Sequence, residues 1–212
     1  MKLQLALDFI SIDDALSVAA KAADHVDFIE AGTPLIKSEG LRAVTALKER
    51  FPDKVIVADM KTMDTGFLEA DIALKAGADA VSVLGAADRE TIRGAAEAAR
   101  KHGKMLMVDS IGMDDLGSLA RKIEGIGAEF VVLHTGIDQQ HCGKCSMSMF
   151  ERMKGVRFSA KVALCGGLDE ESVRKLPKEP RIDLVIIGGA ITKAKDPAKA
   201  ASAIRRALDA SG

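Results

Sequence analysis

The chain has 212 residues, 48% hydrophobic and 29% charged, which is enough for one substantial core. Thirty basic against 31 acidic residues leave a net charge of −1, and only 3% of residues are aromatic, with no Trp or Tyr. This excludes both the electrostatic footprint and the stacking platforms of a nucleic-acid binder. Apolar runs are strand-sized, and Met1-Lys2-Leu3-Gln4 does not open a signal peptide, so the expectation is a cytoplasmic protein without a membrane partner.

Short apolar runs alternate with amphipathic segments rich in Ala, Lys, Arg and Glu. The first strand is predicted over Leu3–Leu7, just before Asp8, with a helix at Asp13–Ala23 capped by Asp13. A second strand, Asp27–Ala31, carries Glu30 and precedes a helix at Gly40–Arg50. The third, Val55–Asp59, runs into Lys61 and Asp64 before the helix Phe67–Lys75. Next come Ala80–Leu84 with Arg89–His102, and Met105–Asp109 with Asp114–Ile126. The series closes with Phe130–His134 and Met147–Met153, Lys161–Cys165 and Glu170–Leu176, and Leu184–Gly188 and Pro197–Ala210. Pro197 suits a first helical turn, and Gly77 and Gly127 sit between helix and strand, where C-terminal caps belong. Gly77-Ala78-Asp79-Ala80-Val81 is echoed faintly by Gly127-Ala128-Glu129-Phe130-Val131.

Eight β-then-α units with strands buried on both faces predict a single (β/α)8 TIM barrel over residues 1–212, of α/β class. An open doubly wound sheet is the alternative, but the first βα turn, Asp8-Phe9-Ile10-Ser11, lacks the glycine fingerprint of dinucleotide binding.

In such a barrel the active site lies at the carboxyl ends of the strands. The polar residues there are Asp8, Glu30, Asp59 with Lys61, Asp109 and His134. Side chains alternate along a strand, so Asp59 and Lys61 share a face about 7 Å apart. A strand-closing ion pair is the plainer reading of those two; the repeated ending of apolar strands in ionisable groups points to chemistry instead. Glu30 and Asp59, from neighbouring strands, could share a hard cation, Mg²⁺ or Mn²⁺. Lys61 would add positive charge and His134 could move protons, its plainer reading being a packed histidine bonded to backbone. Asp8 and Asp109 could orient Lys61 or cap turns. The pairs Gly166-Gly167 and Gly188-Gly189 follow strands seven and eight, where bare backbone N–H groups suit a phosphate; otherwise they only make tight turns.

The pattern Asp59-x-Lys61-x-x-Asp64 resembles the signature of the orotidine 5′-phosphate decarboxylase suprafamily of phosphate-binding barrels. Within it, the chain resembles the 3-hexulose-6-phosphate synthases over nearly its whole length. The matching blocks are Met1–Asp8, Ile29–Ile36, Ala58–Asp64, Leu68–Ala73, Lys75–Asp79, Val83–Gly85, His134–Asp138, Gly166-Gly167 and Gly188–Ile191. The resemblance implies reversible condensation of formaldehyde with D-ribulose 5-phosphate through a 1,2-enediolate. It implies Mg²⁺ on Glu30 and Asp59, charge stabilisation by Lys61 and proton transfer by His134. It also implies a homodimer in which Asp64 reaches the partner's site; any 6-phospho-3-hexuloisomerase partner would be a separate protein, because this chain is too short for a second domain. A Schiff-base role for Lys61 is the competing aldolase chemistry. The related 3-keto-L-gulonate-6-phosphate decarboxylases typically carry arginines where this chain has Thr135, Ile137 and Gly189. A non-catalytic sugar-phosphate-binding barrel is a reading of another class.

His141-Cys142-Gly143-Lys144-Cys145 departs from that family. With Cys165 one unit on, it could be a redox switch or a Zn²⁺ site, or the cysteines could be incidental loop residues.

Overall fold

A computed structural model describes residues 1–141, 152–153, 155–176 and 182–210. Eight parallel strands close into a barrel in chain order: β1 (Lys2–Leu7), β2 (Phe28–Ala31), β3 (Val55–Thr62), β4 (Ala80–Leu84), β5 (Met105–Asp109), β6 (Phe130–His134), β7 (Lys161–Cys165) and β8 (Leu184–Ile187), with β1 pairing β8. The predicted TIM barrel is therefore the observed architecture.

Alternation along the strands divides the apolar residues into two cores. Leu3, Leu5 and Leu7 face outward and pack with helix residues such as Ala15, Ala19 and Leu35. Ala6, Phe28, Val57, Met107, Phe130 and Ile186 face inward and fill the barrel. Phe28 and Phe130 meet edge to face at 6.2 Å. Each large side chain so buried contributes about 1.5–3 kcal/mol, so the fill holds the strand ends in fixed relation.

The starts of the strands are tied by acids. Asp27, Asp79 and Asp183 lie just before β2, β4 and β8, and accept the N–H groups of Leu3, Ile56 and Val162 at 2.9, 2.9 and 3.1 Å. Each links its strand to the second residue of the preceding one. Lys2 and Arg205 pair with Asp27; Lys48 and Lys104 pair with Asp79. Burial works against the charge on both acids. It is outweighed at Asp27 by the Lys2 and Leu3 hydrogen bonds, and at Asp79 by those from Ile56 and Lys104. Both carboxyls are held below their ordinary range.

The helices depart from expectation where short motifs decide. The first runs over Ile12–Ala22 and is capped by Ser11, whose hydroxyl accepts from Asp14 N–H, rather than by Asp13. Pro34 opens an additional helix, Thr33–Glu39, which stops at Gly40 in a left-handed conformation; the expected Gly40–Arg50 helix therefore begins at Arg42. The segment expected at Asp114–Ile126 spans Leu116–Ile123 under an Asp115 cap. Two single-turn helices, Ile137–His141 and Gly189–Thr192, are too short to show periodicity. The predicted helix Met147–Met153 falls outside the described residues except at its last two positions. Strand β3 continues past Asp59 to Thr62, because its pairing with β4 slips: Ala58 meets Val81, yet Thr62 meets Val83.

Candidate active site

The slip in β3 builds the centre of the site. Lys61 lies in the bulged stretch at φ 45°, an unfavourable conformation for a side-chain-bearing residue. It is fixed there by its N–H, which donates to Ser82 Oγ at 2.9 Å, while the Ser82 hydroxyl donates to Asp59 Oδ1 at 2.7 Å. Asp59 Oδ2 also accepts from Thr33 Oγ1 at 2.8 Å.

The Lys61 Nζ lies 2.6 Å from Asp59 Oδ2 and 3.3 Å from Asp109 Oδ2. His134 Nδ1 donates to the same Asp109 oxygen at 2.8 Å. The other Asp109 oxygen accepts from Ile111 N–H at 2.8 Å. An unbroken polar chain, Asp59–Lys61–Asp109–His134, thus crosses from β3 to β6 with its members largely buried.

Burial opposes charge on Lys61, but Asp59, Asp109 and Glu30 together outweigh it and raise its pKa, so the ammonium form is held firmly. Burial likewise opposes charge on Asp109; His134 and Lys61 overcome it and pull the carboxyl down. His134 is raised well above the ordinary imidazole value, against burial, by Cys165 and Asp109. Burial pushes the Cys165 thiol up and keeps it neutral, so Asp109 is the standing charge facing the imidazole.

Glu30 is 7% exposed and takes a hydrogen bond from Gln4 Nε2. Burial first, then the Asp59 charge, lift its carboxyl well above the usual range. Asp8 is open to solvent at the mouth between Gly32 and Gly188. Protein crowded round it, and next the Asp59 charge, raise its pKa, while Lys61, His134 and Lys193 pull it back. Asp64 stands apart from the polar chain: it is exposed on the rim and its Oδ1 accepts from Thr65 N–H at 2.7 Å.

Glu30 and Asp59 suit a hard divalent cation. Both are hard oxygen donors, and their mutual repulsion in a buried setting is what such an ion relieves. Among the described residues no group of three or more His, Cys, Asp and Glu is arranged to hold a metal, so an ion on this pair would need water or substrate to complete its coordination. The Cys142 and Cys145 motif lies outside the described residues.

The glycines differ among themselves. Gly166 has φ 110° and a Cβ there would lie 2.2 Å from Thr135 O; Gly167 has φ 66°. Their backbones alone demand glycine. Gly189 meets nothing nearer than Lys193 Cδ at 3.9 Å, so packing makes no such demand and room for a ligand remains.

Gln4, Thr33 and Ser82 join the site without having been read as site residues, and Cys165, read only as a possible partner of the Cys142 and Cys145 motif, lies beside His134. Each is a polar neutral side chain in or beside an apolar strand; the two-residue alternation from Asp8 back to Gln4, and Ser82 within Ala80–Leu84, was the available signal.

Residues 1–204 match the model of the orotidine 5′-phosphate decarboxylase / HUMPS family. A 3-hexulose-6-phosphate synthase from Mycobacterium gastri is 45% identical over 209 residues, 98% of this chain and 100% of that protein. The crystal structure of 3-hexulose-6-phosphate synthase from Salmonella typhimurium superposes with a TM-score of 0.95 at 41% identity, covering 100% of both chains. That of 3-keto-L-gulonate-6-phosphate decarboxylase from Vibrio cholerae gives a TM-score of 0.88 at 27% identity, covering 100% of this chain and 98% of the other.

Proposed function

The chain belongs to the orotidine 5′-phosphate decarboxylase / HUMPS family, and from that premise we propose that it condenses formaldehyde reversibly with D-ribulose 5-phosphate to 3-hexulose 6-phosphate, as a cytoplasmic aldehyde-lyase of aldolase type. The observation that carries this reading is the Lys61 ammonium held between Asp59 and Asp109 beside His134, in a chain that matches such synthases end to end.

The reaction removes a proton from the sugar carbon next to the carbonyl. The resulting 1,2-enediolate attacks the formaldehyde carbon, and a proton goes to the former aldehyde oxygen. His134 is the proton carrier: its neutral form takes the carbon-bound proton and, as imidazolium aligned by Asp109, delivers it to the new alkoxide. Lys61 supplies a fixed positive charge as negative charge develops on the sugar oxygens. Its firmly protonated amine is a poor nucleophile, which disfavours the Schiff-base route. Asp8, at the mouth, would hold a sugar hydroxyl. Mg²⁺, or Mn²⁺, held by Glu30 and Asp59, would supply Lewis-acid stabilisation of negative charge on oxygen. The backbone at Gly166, Gly167, Gly188 and Gly189 would take the phosphate.

Met63, Phe67, Leu68 and Ile72 are exposed large apolar residues on and beside the helix Gly66–Lys75, next to Asp64. That ridge supports a homodimer in which Asp64 enters the partner's mouth. A separate 6-phospho-3-hexuloisomerase would consume the product.

The test is formaldehyde consumption with ribulose 5-phosphate and Mg²⁺, beside CO₂ release from 3-keto-L-gulonate 6-phosphate. Faster formaldehyde loss, abolished by EDTA and restored by Mg²⁺, is the expected result. Dominant CO₂ release would transfer the chain to the decarboxylases, a reading that Thr135, Ile137 and Gly189 in place of arginines argue against. Binding without either turnover would make it a non-catalytic barrel.

A further inference from the structure

The charged mouth stands on an apolar layer, in which Val57, Met107, Val132 and Ile186 line the bottom of the cavity. Gln4 interrupts that layer with an amide. It points inward from β1, is 1% exposed, and donates from Nε2 to Glu30 Oε2. Its other amide atom, Oε1, is buried without a hydrogen-bond partner among the described residues. A half-satisfied buried amide costs free energy, and a leucine would fill the same space with no orphaned oxygen, trading the one hydrogen bond to Glu30 for apolar burial. Stability therefore does not account for this side chain, whereas its position directly against Glu30 does.

We propose that Gln4 is a positioning residue for the divalent-cation site: its amide N–H fixes the Glu30 carboxylate from below, and its carbonyl accepts from a water or hydroxyl that enters with the ion. The inference rests on the metal reading given above. It adds a neutral supporting contact to a donor set of only two carboxylates, where the rotamer of each decides whether the pair converges on one ion. Asn is too short to serve both ends, Leu and Met offer no donor, and Glu would put a further negative charge against Glu30.

The test measures Mn²⁺ uptake directly, by the electron-paramagnetic-resonance signal of free Mn²⁺, without substrate or turnover. The wild type is compared with Gln4→Leu, Gln4→Met and Met107→Leu, and thermal midpoints are recorded for all four. The expected result is wild-type binding, a loss of affinity of about 10–100-fold in both Gln4 variants, and midpoints equal to or above wild type. Met107→Leu, in the same layer but without an amide, should bind as wild type does. Gln4→Met keeps the comparison alive if the leucine variant does not fold. Affinity within twofold of wild type in a folded Gln4 variant overturns the inference, as does an equal loss in Met107→Leu. A wild type that takes up no Mn²⁺ instead overturns the metal reading itself, and this inference with it.

Discussion

At the amino-terminal end of the barrel, Asp27 and Asp79 each meet two cations and a backbone N–H, and their carboxyls are held below the ordinary range. At the carboxyl end, Glu30 and Asp8 are walled in by protein and then crowded by Asp59, and their carboxyls are lifted. The residue types are the same, and the strands connecting the two ends are only four to eight residues long. The difference lies in what each acid is offered: a complete set of donors at one end, a like charge and a low-dielectric wall at the other. Acids of the first kind hold strands together, and acids of the second kind hold free energy in reserve for a positively charged or hydrogen-bonding occupant.

That contrast breaks most sharply at Asp59. Asp59→Asn should lower kcat/KM for the condensation by about 10²–10³-fold while leaving the barrel folded by circular dichroism. Wild-type-like turnover in this variant would remove Asp59 from the metal and charge network. Asp79→Ala should do the reverse, costing about 2 kcal/mol of urea-denaturation stability by orphaning the Ile56 N–H and changing kcat little. The figure comes from the lost hydrogen bond, because solvent screens the surrounding ion pairs. The Asp79 carboxyl is depressed in the fold, so its contribution is present above its unfolded pKa, near 3.9, and is lost as pH falls through the folded value. The two proteins should converge in strong acid.

Glu30→Gln sharpens the other side. A lifted carboxyl contributes stability that is complete below its unfolded pKa, near 4.3, and is lost as pH rises through the folded value. In EDTA the variant should therefore be more stable than wild type at pH 8, with the gap closing toward pH 4; a gap independent of pH would remove Glu30 from the strained set. The smallest effect concerns Asp109, which links the two kinds of behaviour by being both buried and depressed. Asp109→Asn removes a charge that raises His134, so the acid limb of the condensation profile should move to lower pH. An unmoved limb would mean that another group carries the proton.

The barrel was legible because its eight strands repeat with regular spacing, and Glu30, Asp59, Lys61, Asp109 and His134 stood out because apolar strands seldom end in ionisable groups. Gln4 and Ser82 were not read, since a neutral polar residue in an apolar strand carries no charge signal. The bulge in β3 has no glycine to announce it. It arises from Ser82 bonding the Lys61 backbone, a contact between residues 21 apart in sequence. The short helices after β2, β6 and β8 are fixed by turns too brief for periodicity. The strand-starting acids lay in plain view, but pairing each with the N–H of the previous strand needs the register.

The left-handed backbone at Lys61 has a consequence for how this chain responds to selection. Such a residue carries about 1–2 kcal/mol of strain; a glycine there would release it, but would leave Asp59, Asp109 and Glu30 together without their shared cation. In a library screened for cellular abundance alone, glycine at position 61 should be enriched only in chains that also neutralise one of those acids; in one screened for growth on formaldehyde such chains should vanish. Positions that rise in the first screen and fall in the second would outline the mouth of the barrel without any knowledge of its chemistry.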